Sequence, residues 1–249
     1  MSTVPGPPPQ RGVGVVALFD LALDRELWRW APEEVSLYLT RTPYVAEPVS
    51  IELAEAVSEE SAVSQGTRDV IAVEPLVVAY ACTSGSFVHG TAGERRIVQA
   101  MLTAGAPAAL TTSGALLDAL AATSVRRLAV ATPYVASVTE RLAGFLAEAG
   151  VSTVSSAELG LQAEIWKVPY STTARLVRDA DCAEAEAVFV SCTNLPTYDL
   201  IAPLERELGK PVLTANQVTM WAALAIAGAA PVGPAQRLLA AAYNRVSAS

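Results

Sequence analysis

The chain has 249 residues, of which 52% are hydrophobic, with 17 basic against 25 acidic side chains and a formal net charge of −8. At roughly 150 residues per domain this is one or two domains with chain enough for an ordinary core, which excludes a disulfide-stapled miniprotein. The acidic balance without clustered Lys or Arg excludes a nucleic-acid or anionic-membrane surface, and the most apolar stretch, Trp221 to Ala230, is shorter than the ~20 residues of a spanning helix.

The segment 1–12, with Pro5, Pro7, Pro8 and Pro9, reads as a disordered Pro-rich tail and not a signal peptide, which points to the cytoplasm. After it, short β-branched runs alternate with helical patterns, as in parallel strands joined by crossover helices. The expected strands are Val13–Phe19, Val35–Thr40, Leu76–Ala81, Ala108–Thr111, Leu128–Ala131, Val151–Ser155, Ala187–Ser191 and Val212–Thr214. Helices are expected at Leu21–Trp30, Glu94–Ala104, Val138–Ala149, Thr172–Ala180 and Leu200–Leu208.

This βαβ rhythm runs twice. Val77 to Ser86 aligns with Ala187 to Pro196, each an apolar strand ending in Cys-Thr, and Gly105 to Leu120 aligns with Gly209 to Leu224. Two matched blocks in the same order indicate an internal duplication, with residues 13–112 plus 217–249 as a first lobe and 113–216 as a second facing it. The run from Trp221 to Ala230 calls for a further buried face, either in a homodimer or as a helix closing the first lobe.

Ligands of open α/β sheets bind beyond the carboxyl ends of strands, where Cys82 and Cys192 both stand. A helix start after each would lower its thiol pKa and cradle a carboxylate, with Thr83, Ser84, Thr193 and Asn194 adding hydroxyl and amide groups. Two thiols on opposite sides of an acid suit proton transfer or nucleophilic addition without a cofactor. Asp20 and Tyr134 end the first strands of the two halves, where each serves either the site or local capping and packing. Cys182 lies in a polar stretch and reads as incidental, and His89, the only histidine, as a structural or rim residue. Three cysteines without a CxxC pair indicate free thiols and no metal site, and neither GxGxxG nor GxxxxGK[ST] is present.

The segments Ala81 to Ser86, Ala131 to Tyr134, Ser191 to Pro196 and Lys210 to Gln217 resemble the motifs of the aspartate/glutamate racemase superfamily, in its maleate cis-trans isomerase and arylmalonate decarboxylase branch. The resemblance implies an α/β fold of two pseudo-symmetric flavodoxin-like lobes, each a four-stranded parallel sheet flanked by helices. It places the active site between them and implies no cofactor and a small carboxylic acid as substrate. Cys82 would add to a cis double bond as thiolate, Cys192 would handle the proton, Tyr134 would bind a carboxylate, and Thr83, Ser84, Thr193 and Asn194 would complete the cradle. The resemblance also implies departures. Decarboxylases carry glycine at the position of Cys82, maleate isomerases carry Asn at that of Asp20, and glutamate racemases carry Asp there but His at Asn194. An isomerase reading leads; an amino-acid or hydantoin racemase, an arylmalonate-type decarboxylase and a non-catalytic small-acid-binding protein remain alternatives.

Overall fold

The eight strands form where the β-branched runs fall: β1 (Arg11–Ala17), β2 (Val35–Arg41), β3 (Val77–Ala81), β4 (Ala109–Thr111), β5 (Arg127–Thr132), β6 (Ser152–Glu158), β7 (Ala187–Val190) and β8 (Val212–Thr214). The structure is a computed structural model that describes residues 9–233 and 235–244. Of the expected tail, residues 1–8 lie outside these. Arg11 and Gly12, also assigned to the tail, instead open β1, where they pair with Val35 and Ser36.

All strand pairs are parallel, and the two sheets have the orders β2-β1-β3-β4 and β6-β5-β7-β8. The same permutation in both halves is what a duplicated unit produces. Strand side chains serve two faces with period two: Val13, Val15 and Ala17 of β1 join one apolar cluster while Val16 joins another. Both faces of the inner strands β1, β3, β5 and β7 are therefore buried, which is why they read as apolar runs, whereas the edge strand β6 is largely polar and exposed or half-buried throughout.

The helices are α1 (Asp24–Trp28), α2 (Ile51–Val57), α3 (Glu60–Ile71), α4 (Thr83–Phe87), α5 (Gly90–Thr103), α6 (Thr112–Ala122), α7 (Ala136–Glu148), α8 (Tyr170–Ala180), α9 (Ile201–Leu208) and α10 (Ala215–Ile226). The expected helix Leu21–Trp30 is cut to α1. Helices α2 and α3 carry weak apolar patterns because small or polar residues, Gly66 and Thr67, take the buried positions of α3.

Helices α6 and α10 pack against each other, and Thr112 Oγ1 and Thr219 Oγ1 lie 2.8 Å apart between them. Every residue of α10 from Ala215 to Leu224 is buried, with its polar members Asn216, Gln217 and Thr219 hydrogen-bonded. The helix in the Trp221 to Ala230 run is thus covered within one chain, without a second copy. One apolar cluster runs from β1 and β3 through these helices into β5, β7 and β8. Interlobe hydrogen bonds contribute only about 1 kcal/mol each, so this shared core sets how the lobes face each other. No helix among the described residues is long and apolar enough to cross a membrane.

Candidate active site

Cys82 directly follows β3 and is the N-cap of α4. Its Sγ accepts the Gly85 N–H at 3.4 Å and lies 4.0 Å from Ser84 Oγ. Ser86 Oγ donates to the Cys82 carbonyl at 2.7 Å, fixing the turn. The motif's glycine has a steric reason: a Cβ on Gly85 would sit 2.5 Å from Tyr80 Oη and 3.1 Å from Cys82 Sγ. Gly85→Ala is therefore expected to displace the thiol and to destabilise by about 1–3 kcal/mol through overpacking. Thermal unfolding and the rate of Cys82 alkylation measure this, and unchanged values of both would contradict it.

Cys192 differs from Cys82. No helix starts after it; the chain turns through Cys192 to Leu195 and a short 3-10 helix, Tyr198–Leu200, before α9. Cys192 itself has φ +89°, a conformation costing a non-glycine residue about 1–3 kcal/mol, which the surrounding contacts must outweigh. Its Sγ accepts the Asn194 N–H at 3.4 Å. The expectation of two equivalent helix starts is thus corrected, because the duplicated strand ends continue into different backbone.

The expectation of lowered thiol pKa is also corrected. Cys82 and Cys192 are only 2% and 9% exposed, and burial pushes both thiols up, Cys192 to about 12, against the smaller opposing pull of the Gly85 and Asn194 N–H groups. One N–H per sulfur does not offset desolvation of a thiolate. The carboxylate of Asp20 acts on both thiols, and each thiol acts on Tyr134, so these four side chains share one electrostatic site.

Tyr134 is buried, its ring edge-on to Phe87 with centroids 6.4 Å apart, and its hydroxyl accepts from Ser191 Oγ at 3.4 Å. Thr83 Oγ1 is buried without a hydrogen-bond partner among the described residues, while Thr193 Oγ1 donates to the Ala81 carbonyl at 3.4 Å and so joins the two strand ends. The Asn194 side chain joins the two halves: Ala22 N–H donates to its Oδ1 and its Nδ2 donates to the Asp20 carbonyl, both at 2.9 Å. Asp20 is half-buried and caps no helix; the N-cap of α1 is Leu23. His89 is exposed, and Cys182 is half-buried, with its carbonyl accepting from Lys210 Nζ.

Two residues under the Cys192 turn escaped the sequence reading. Glu26, buried in α1, accepts Thr197 Oγ1 at 2.6 Å and Thr197 N–H at 3.3 Å, and Asn216 Nδ2 lies 3.5 Å from it. Asn216 Nδ2 also donates to the Thr193 carbonyl at 2.9 Å. Asn216 carried a signal, since Thr214 and Gln217 around it form a capping box. Glu26 carried none, because it sits among charged neighbours that read as a solvated face.

A family model described as arylmalonate decarboxylase matches residues 44–239. The arylmalonate decarboxylase of Bordetella bronchiseptica is 36% identical over 156 residues, 61% of this chain and 65% of that protein. A maleate isomerase of Nocardia farcinica is 31% identical over 149 residues, 57% of this chain and 59% of that protein. The chain thus spans less than two thirds of these relatives in sequence. Among solved structures, a liganded double mutant of arylmalonate decarboxylase matches with TM-score 0.84 at 29% identity, covering 92% of this chain and 98% of that one. A mutant maleate cis-trans isomerase of Nocardia farcinica, bearing a covalently bound succinylcysteine intermediate, matches with TM-score 0.82 at 25% identity and the same coverage of each chain.

Proposed function

Because the chain belongs to the arylmalonate decarboxylase family, with residues 44–239 matching its model, we propose that it is a cofactor-independent isomerase of the maleate cis-trans isomerase-like type, acting on a small carboxylic acid. The observation that carries this reading is that the two cysteine turns meet: Thr193 Oγ1, next to Cys192, donates to the carbonyl of Ala81, next to Cys82, at 3.4 Å, and the buried Tyr134 hydroxyl lies 3.4 Å from Ser191 Oγ, on the other side of Cys192. A decarboxylase of the branch needs a single thiol and has glycine where Cys82 stands, so the second thiol favours isomerisation.

In the proposed step the Cys82 sulfur forms a bond to one alkene carbon as the π bond opens, while Cys192 delivers its thiol proton to the other carbon and takes up the proton that Cys82 releases. The former double bond, now single, rotates; Cys192 then accepts the proton from that carbon as its own proton returns to the departing Cys82 sulfur, the C–S bond breaks and the trans acid leaves. Tyr134 and Thr83 donate to the carboxylate next to the carbon that gains and loses the proton.

The test is incubation of the protein with maleate and with other small cis-enoic acids, followed by proton NMR for the trans isomer and by intact mass for an adduct on Cys82. The expected result is trans product with an adduct equal in mass to the added acid. Exchange of an amino-acid α-proton in deuterated water without any cis-trans product would instead indicate the racemase. One observation favours a second reading, a small-acid-binding protein without catalysis: burial holds both thiols in their neutral form. Binding of such acids without product or adduct would establish it.

A further inference from the structure

The isomerase reading leaves open what kind of acid the site takes, and two unpaired polar atoms bear on that. Asp20 Oδ1 and Thr83 Oγ1 are buried without a hydrogen-bond partner among the described residues. Both belong to the first lobe at the carboxyl ends of adjacent parallel strands, Thr83 beside Cys82 and Asp20 just beyond β1. Buried polar atoms are nearly always satisfied, so an orphan at a ligand site marks what the ligand supplies. Thr83 Oγ1 can give a hydrogen bond to a carboxylate. An ionised Asp20 can only accept one.

Burial raises the Asp20 carboxyl above its ordinary value, against the smaller opposing pull of its own amide and the Asn194 side chain, so a hydrogen-bond donor from a ligand would relieve this desolvated carboxyl. Arg41, at the end of β2, is held on the neighbouring backbone by donating to the Leu21 carbonyl at 2.9 Å, and no ion pair joins it to Asp20 among the described residues. A second substrate carboxylate placed against the Asp20 carboxylate would bring two acceptors together in a desolvated place and would bind only with uptake of a proton. An N–H or O–H group there would satisfy Oδ1 directly.

We propose that Asp20 is the specificity-determining residue of this site and selects a small monocarboxylate that carries an N–H or O–H donor, the monoamide of a cis-enedioic acid being the simplest, over the corresponding dicarboxylate. The proposal rests on the isomerase reading for the chemistry that follows, but the selection itself is a binding property. The addition and elimination at Cys82 proceed as above, with the single carboxyl or the amide next to the carbon that gains and loses the proton, and no further reactant is needed.

The experiment has two arms on the full chain. The first measures calorimetric binding of succinamate and succinate, which cannot isomerise, to the wild type, Asp20→Asn and Asp20→Ser. We expect the wild type to bind succinamate at least about tenfold more tightly than succinate, and the ratio to fall or reverse by at least about tenfold in Asp20→Asn, whose amide can donate. Equal binding of the two acids by the wild type, or a ratio unchanged in both folded variants, overturns the proposal. If neither variant folds, the wild-type ratio alone decides. The second arm measures trans product from maleamate and from maleate. Product from neither, with the binding preference intact, removes the isomerase reading and leaves the role of Asp20 standing. Product from maleate in preference to maleamate overturns the proposal while leaving the isomerase reading intact.

Discussion

Cys82→Ser is expected to lower turnover of a cis-enoic acid by about 10³-fold or more and to abolish the covalent adduct, because a serine hydroxyl is a far weaker nucleophile than sulfur at neutral pH. Cys192→Ser should differ in kind. On the proposed mechanism it leaves the attacking sulfur in place and removes the proton carrier, so the adduct on Cys82 should accumulate while product falls. Cys182→Ser, outside the site, should match the wild type. Intact mass spectrometry after rapid quenching and an NMR assay of the trans acid read all three. Turnover by Cys82→Ser within about tenfold of the wild type would sink the nucleophile assignment.

The pH dependence of alkylation follows from the same geometry. Burial raises both thiols above the ordinary value of 9.0, so the thiolate fraction at neutral pH is smaller than in free cysteine. Iodoacetamide labelling of either residue in the resting protein should therefore be slow at pH 7 and still climbing above pH 9. On the proposed mechanism the adduct would then form through a state in which the site admits the acid and Cys82 gives up its proton.

Glu26→Ala is expected to destabilise the protein by about 2–4 kcal/mol, the second largest effect. It strips the acceptor from Thr197 N–H and Oγ1 and weakens the hold on Asn216, all buried beneath the Cys192 turn. Glu26→Gln, which keeps one acceptor, should cost less. Burial raises the Glu26 carboxyl above 4.5 while the Thr197 and Asn216 donors oppose it. The folded state thus holds this proton more tightly than the unfolded one. Its contribution is fully present below pH 4.5 and is lost as pH rises through the folded value, a slope that Glu26→Gln should abolish. Denaturant midpoints of the three proteins between pH 4.5 and 8 measure both effects, and an Ala variant within about 0.5 kcal/mol of the wild type would contradict the first.

Much of the architecture was legible because its signals are local. A strand buried on both faces needs a continuous apolar run, and Val77–Ala81 and Ala187–Val190 show theirs without reference to any partner. The repeated Cys-Thr after these runs, together with the rule that ligands collect beyond strand ends, located both thiols. Helix α3 was not legible, since Gly66 and Thr67 fill buried positions by being small or by bonding their own helix, as Thr67 Oγ1 does to the Val63 carbonyl at 2.8 Å.

What the sequence determined by itself is therefore the repeated strand-and-turn unit, the two thiols at its ends and the family to which these motifs point. The tertiary structure decided what each group can do there. Whether a thiol is charged depends on how much water and how many donors reach it, and the same Cys-Thr pair becomes a helix cap at Cys82 and a strained turn at Cys192. Asn194 is held by backbone groups of the other lobe, and Glu26 becomes a buried acceptor only when α1 meets the turn before α9. Desolvation and long-range hydrogen bonding depend on which distant segments close over a residue, and no local pattern encodes them.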